Sequence, residues 1–249
     1  MDLNADLGEG FGVWRLGDDE ALLDIVTSAN VACGFHAGDP VTMRRISAAA
    51  ADRGVTVGAQ VGYRDLAGFG RRRIDYRFDE LRDDVLYQIA ALDGFCRVAG
   101  TRVRYVKPHG ALYNTACVDE AQAAAVVAAV ADVDPTLPIL CLPGSVLSQL
   151  ATGAGLRAVA EGFADRSYQP DGRLVPRDAP GALLDDHREV VAQALSMAGS
   201  DTVTATDGTA VASPVESICV HGDTPGAAAL ARRIRQSLEA AGQRLTAFV

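Results

Sequence analysis

The stretch VKPHGALYN, residues 106–114, follows an apolar run containing Val103, Tyr105 and Val106 and turns at once into Lys107, Pro108, His109 and Gly110. A lysine can neutralise charge that builds up during a reaction, and an imidazole can carry a proton. Turns of this kind recur along the chain. The first predicted strand runs into NADLGEGFG with Asn4, Asp6 and Glu9, the second into CGFHAGDP with His36 and Asp39, and the third into GAQVGYRD with Gln60, Tyr63 and Asp65. Lys107, His109, Tyr113 and Asn114 follow the fourth, Glu161, Asp165, Arg166 and Tyr168 the sixth, and His221, Asp223 and Thr224 the last. Only the fifth, ending in Leu142-Pro143-Gly144-Ser145, offers little chemistry.

Three of the four histidines therefore sit at strand ends, and a set of three points to function more than any single turn histidine does. The fourth, His187, falls at a helix start and is expected to face solvent. Asp39 stands before Pro40 and a helical pattern, so it is both a site candidate and a helix N-cap; Asp223, before Thr224 and Pro225, has the same form. No helix starts directly after Asp6 and Glu9, and Gly8, Gly10 and Gly12 let the backbone approach a ligand there. Arg166 and Arg177 lie in FADRSYQPDGRLVPRDAPGALL, a long connection expected to act as a lid, and guanidinium forks match phosphate or carboxylate oxygens. Arg71 to Arg73 in GFGRRR are either a solvated turn or further anion contacts. Cys33, near His36, has no nucleophile signature around it and fits a small buried strand residue.

Such turns need a scaffold that brings them together. Apolar, β-branched runs near Asp2–Leu7, 29–33, 55–59, 103–106, 139–142, 158–162 and Ser217–Val220 alternate with segments of helical period, giving about seven βα units. In residues 78–100, Leu81, Val85, Ile89, Leu92 and Cys96 recur on one helical face, and Leu230, Ile234 and Leu238 repeat the pattern before Gly242. Site-type residues after nearly every strand favour an α/β TIM-like (β/α) barrel, seven-stranded and distorted, over an open doubly wound sheet with one switch point. TVTATDGTAVAS, residues 202–213, is expected to form a small β-hairpin insertion. No linker divides the chain, so a single domain over residues 1–249 is predicted.

Composition narrows the partners. A net charge of -9 opposes binding to nucleic acid or to an anionic membrane surface. No apolar stretch approaches the roughly 20 residues of a bilayer span, and MDLNADLGEG has no basic or apolar leader pattern. Five cysteines without a C-x-x-C pair fit reduced thiols and a cytoplasmic location. GEGFG lacks the spacing of a dinucleotide fingerprint, and no P-loop motif is present.

In order from Asp2 to Pro225, the stretches DLNADLGEGFG, SANVACGFHAGDP, GAQVGYRDLAGFGRR, VKPHGALYN, EGFADRSY, LVPRDAPGA and ICVHGDTP resemble the LamB/YcsF family. The resemblance implies a barrel related to polysaccharide deacetylases and some glycoside hydrolases. It also implies ATP-dependent opening of 5-oxoproline (pyroglutamate) to L-glutamate, performed with two further subunits, B and C. Many members read GAHPG-like where this chain reads GAQVG, so Gln60 replaces a histidine; neutral glutamine is a poor zinc ligand, and no tightly bound zinc is expected. Magnesium would come with ATP, with Asp6 or Glu9 as its carboxylate. Phosphorylation of the lactam oxygen calls for charge neutralisation, for which Lys107, Arg166 and Arg177 are candidates. A base for water and an acid for the leaving nitrogen would come from His36, His109, His221 and Asp39. Asn4, Gln60, Tyr113, Asn114, Glu161, Asp165 and Asp223 complete the expected binding set. The competing functions are a stand-alone metal-dependent deacetylase or amidohydrolase, and a catalytically silent subunit that binds a small acid.

Overall fold

The first strand, β1 (Asp2–Leu7), alternates Asp2, Asn4 and Asp6 with Leu3, Ala5 and Leu7, yet all six residues are buried. Side chains of a strand point alternately to its two faces, so both faces of this strand are covered. The computed structural model, which describes residues 1–222 and 226–249, shows what covers them. Asp223 and Thr224, expected in the site, lie outside the described residues.

Seven parallel strands close into a barrel: β1, β2 (Ser28–Ala32), β3 (Thr56–Val61), β4 (Tyr105–Pro108), β5 (Ile139–Cys141), β6 (Ala158–Phe163) and β9 (Ser217–Val220). Closure is explicit, because β9 pairs with both β6 and β1. An open sheet is thereby ruled out. The seam between β4 and β5 is thin, with Val106 opposite Ile139, so the barrel is distorted as expected.

Helices coat the outside. The longest are α2 (Pro40–Arg53), α3 (Phe78–Val98), α5 (Glu120–Val133), α7 (His187–Ser200) and α8 (Ala227–Ala240), with shorter α1 (Asp19–Leu23), α4 (Gly110–Ala116) and α6 (Val146–Gly153). Their apolar faces meet the outward strand residues; on α3 these are Leu81, Val85, Ile89, Leu92 and Cys96, all buried. Asp39 caps α2 by accepting from Thr42 N, and Pro40 opens the helix. The N-cap of α8 is Gly226. Hairpin β7 (Thr202–Thr204) with β8 (Ala210–Ala212) inserts between α7 and β9, as predicted, and joins the long loop where Thr206 N donates to Tyr168 O. Among the described residues no helix is long and apolar enough to cross a membrane.

Inside the barrel, space is filled to contact. Gly58 on β3 faces the Tyr105 ring of β4, and a Cβ at Gly58 would fall within that ring's envelope. Gly58→Ala is expected to destabilise by about 1–3 kcal/mol through overpacking. Gly94→Ala, in mid-helix with nothing near its missing Cβ, should stabilise by about 0.5–1 kcal/mol. Urea unfolding of the two variants checks this, and equal effects would contradict it.

Candidate active site

The inward residues form polar layers that climb the barrel. At the base, Ser28 Oγ donates to Asp2 Oδ1 at 2.7 Å, and Ser217 Oγ donates to the same carboxylate. One layer up, Asn4 Nδ2 donates to Ser217 Oγ (2.7 Å) and Glu161 Oε1 (3.1 Å), while Asn30 Nδ2 donates to Asn4 Oδ1 (2.6 Å) and Asp6 Oδ1 (2.9 Å). Tyr105 donates to Asn30 Oδ1 at 2.6 Å. Above this sits the Lys107 ammonium, 2.6 Å from Glu161 Oε1, 3.3 Å from Asp6 Oδ1 and 3.1 Å from Cys219 Sγ.

Burial alone would lower the pKa of Lys107, but the charges of Asp6 and Glu161 outweigh it and hold the ammonium well above its usual range. Burial pushes Asp6 the other way, yet Lys107 and His221 keep its carboxyl below the usual range. Glu161 is raised, because burial prevails over Lys107 there. Lys107 is thus a charged lysine, Asp6 its counter-charge, and Glu161 the carboxyl that more readily takes a proton.

Two clusters occupy the C-terminal mouth. In the first, the His36 and His109 rings stack with centroids 3.9 Å apart and planes 10° from parallel. Gln60 lies between them and Glu9: its Nε2 is 3.3 Å from Glu9 Oε1 and 3.0 Å from His109 Nδ1, and its Oε1 is 3.2 Å from His36 Nε2. Burial pushes His109 down to about 4 and His36 well below its usual value. In the second, His221 Nδ1 lies 2.7 and 2.9 Å from the two Asp165 oxygens, and burial of Asp165 is outweighed by His221, which lowers its pKa. A carboxylate on Nδ1 fixes the imidazole's tautomer and leaves Nε2 for proton transfer.

Both clusters border a cavity of about 730 Å³ lined by Asp6, Lys107, His109, Tyr113, Phe163 and His221. Arg71, Arg73, Arg166, Arg173 and Arg177 also line it, so an acidic chain carries a cationic pocket. Such a pocket suits small anions with phosphate or carboxylate groups.

Most of the expected residues converge here, in distinct positions. Asn4 and Glu161 lie below the floor, and Asn114 lines the wall while its amide donates to Gly110 O at 3.0 Å. Tyr113 lines the cavity with a buried hydroxyl that has no protein partner. Arg166 lines it too, but donates to Ala182 O and Val175 O, which pins the long loop. Gln193 Nε2 reaches three carbonyls at the loop's start, Phe163, Ala164 and Arg166, and so ties this part of the expected lid to α7. Asp39 acts as the cap that the sequence also predicted: its oxygens accept from Thr42 N at 2.9 Å and Gly12 N at 2.7 Å, which also ties down the loop after β1.

Other participants went unmarked in the sequence. Phe163 stacks on His221 at 5.7 Å and carries Lys107 over its ring at 5.1 Å. Asn30, Tyr105 and Ser217 share the inward parity of their strands, the one signal that could have found them. The GFGRRR alternative divides: Arg71, over the Phe69 ring at 4.8 Å, and Arg73 reach the cavity rim, whereas Arg72 is largely exposed and pairs with Asp65.

A closed parallel barrel with a charged floor, an Asp–His pair and an arginine-lined mouth defines a (β/α)-barrel protein with a cationic pocket at its C-terminal strand ends. The LamB/YcsF family model matches residues 1–249, and the chain belongs to that family. It is 61% identical over 248 residues to a Mycobacterium avium (strain 104) protein named as the A subunit of 5-oxoprolinase, covering all of this chain and 98% of that one. A Nocardia farcinica protein of the same name is 58% identical over 249 residues, covering all of this chain and 99% of that one. The crystal structure of the lactam utilization protein from Thermus thermophilus superposes with a TM-score of 0.94 at 44% identity, covering 99% of each chain.

The depressed histidines make stability pH-dependent. His109 has a usual value of 6.5 and is pushed to about 4 in the fold, so below pH 6.5 the unfolded chain takes a proton that the native one refuses. Stability present above pH 6.5 should fall as the pH drops toward 4, by on the order of 3 kcal/mol from His109. Denaturant unfolding of wild type and His109→Gln across this range isolates the effect; parallel curves would contradict it.

Proposed function

We propose that this chain carries the hydrolytic ring opening of 5-oxo-L-proline to L-glutamate in an ATP-dependent, multi-subunit 5-oxoprolinase, acting in the cytoplasm beside subunits B and C. The names of its relatives support the reading, and one observation carries it: the Asp165–His221 pair and the Lys107 ammonium both lean on Phe163 at an arginine-lined cavity.

A five-membered lactam resists direct hydrolysis, because its amide resonance must be broken without strain to help. Transfer of the ATP γ-phosphoryl group to the lactam oxygen forms a C–O–P linkage, releases ADP and makes the ring carbon electrophilic. His221 Nε2 then takes a proton from water as its oxygen adds to that carbon, while Asp165 steadies the imidazolium. The same proton passes to the ring nitrogen, so the C–N bond breaks and the amine leaves. Loss of phosphate before this protonation would only return the lactam. The resulting carboxyl phosphate is hydrolysed by a second water to glutamate and phosphate.

Lys107 holds positive charge beside the phosphorylated oxygen, and Arg166 and Arg177 stand where the substrate carboxylate or phosphoryl group can be met. Asp6, which lines the cavity, would be the carboxylate to hold a magnesium ion brought by the nucleotide, and the ion would supply charge neutralisation at the phosphoryl group.

The test is glutamate and phosphate release from 5-oxoproline with ATP and magnesium, using the chain alone and then mixed with candidate B and C partners. Turnover in the mixture should fall by about 10²–10⁴-fold in His221→Ala. Full turnover with His221→Ala would remove this chain from the chemical step.

A further inference from the structure

Glu9, His36 and His109 place a carboxylate and two imidazoles within 4.8 Å of one another, all buried. By residue type this is a donor set for a transition metal. Its geometry does not fit one. An imidazole binds a cation along its lone pair, in the plane of the ring, and two rings stacked at 3.9 Å with planes 10° apart do not aim their lone pairs at a common point. The middle of the group is filled by the Gln60 amide, in contact with all three residues.

We propose that Gln60 takes the place of a cation here, its NH2 group supplying the positive edge that the surrounding lone pairs face, and that it thereby locks both histidines in one neutral tautomer. A carboxylate can only accept, so the amide nitrogen must point toward Glu9. The same nitrogen donates to His109 Nδ1 at 3.0 Å. His109 therefore carries its hydrogen on Nε2, which donates to Phe69 O at 3.0 Å. The amide oxygen is left to accept from His36 Nε2 at 3.2 Å. His36 is then bare at Nδ1, the atom found buried without a partner. It lies against Gly62, where an added Cβ would come within 2.6 Å, so no side chain can reach it from that position.

The arrangement also positions other groups. Through His109 and Phe69 O, the Gln60 amide anchors the turn that presents Arg71 and Arg73 to the cavity, and the backbone bond from Ala111 N to Gly70 O at 2.8 Å secures the same turn. Gln60 is thus a positioning residue for the anion-binding rim, acting through a histidine that has no nitrogen left for substrate.

Histidine-selective ¹⁵N labelling of the intact chain reads this directly. In the native protein the two buried rings should each show a protonated Nε2 and a bare Nδ1 at neutral pH, with no change on adding equimolar Zn²⁺. A protonated Nδ1 on either ring, or loss of both patterns with zinc, would overturn the proposal. Gln60→Leu supplies the second arm: with both amide bonds removed, a protonated-Nδ1 signal should appear on at least one of the two rings. A folded variant that keeps both native patterns would show that Gln60 does not set the tautomers.

Discussion

Everything at the mouth of this barrel rests on one buried ammonium. Lys107 is almost wholly removed from water, and an unpaired charge in such a place would cost several kcal/mol. It is sustained by Glu161 at 2.6 Å, Asp6 at 3.3 Å and the Asn4 side-chain oxygen at 3.4 Å, which come from β6 and β1, the two strands that flank β9, and meet Lys107 of β4 across the interior because the barrel closes. The constraint propagates downward. Asn4 must be oriented by Ser217 and Asn30, Asn30 by Tyr105, and Ser217 in turn by Asp2. A polar interior of this kind specifies register more strictly than an apolar one, since a one-residue slip would put every partner on the wrong face.

Above that floor the mouth divides its histidines by role. The stacked pair is kept neutral by burial, with three of its four ring nitrogens committed to Gln60 and Phe69 and the fourth, His36 Nδ1, buried. His221 is braced by Asp165, and its second nitrogen is available to the cavity. The difference lies in the second partner: an amide between His36 and His109, a carboxylate behind His221. Around them, arginines from the turn after β3 and the loop after β6 give an acidic protein a locally cationic pocket.

Much of this was legible because a parallel barrel gathers its strand ends on one face, and Asp6, Glu9, His36, Lys107, His109, Glu161, Asp165 and His221 all sit near such ends. The extent of β1 and β9 and the hairpin near residues 202–213 followed from local alternation and turn chemistry. The interior layers were not legible. Asp2, Ser28, Asn30 and Ser217 alternate with apolar neighbours, the same pattern a strand shows when one face meets water, and only closure turns that face inward. Nor could spacing pair Asp165 with His221 across 56 positions. Asp39 shows the reverse case: its position before Pro40 announced a cap, and a cap is what the geometry shows.

That Lys107 is a charged group held by its carboxylates is tested most directly by urea unfolding of Lys107→Met beside Lys107→Met/Glu161→Gln. The single change should destabilise by about 3–5 kcal/mol, because it strands buried carboxylates without their cation, and neutralising Glu161 should restore part of that loss. A single-variant loss under about 1 kcal/mol, or a double variant that recovers none of the loss, would mean that the ammonium is not what the barrel interior is organised around.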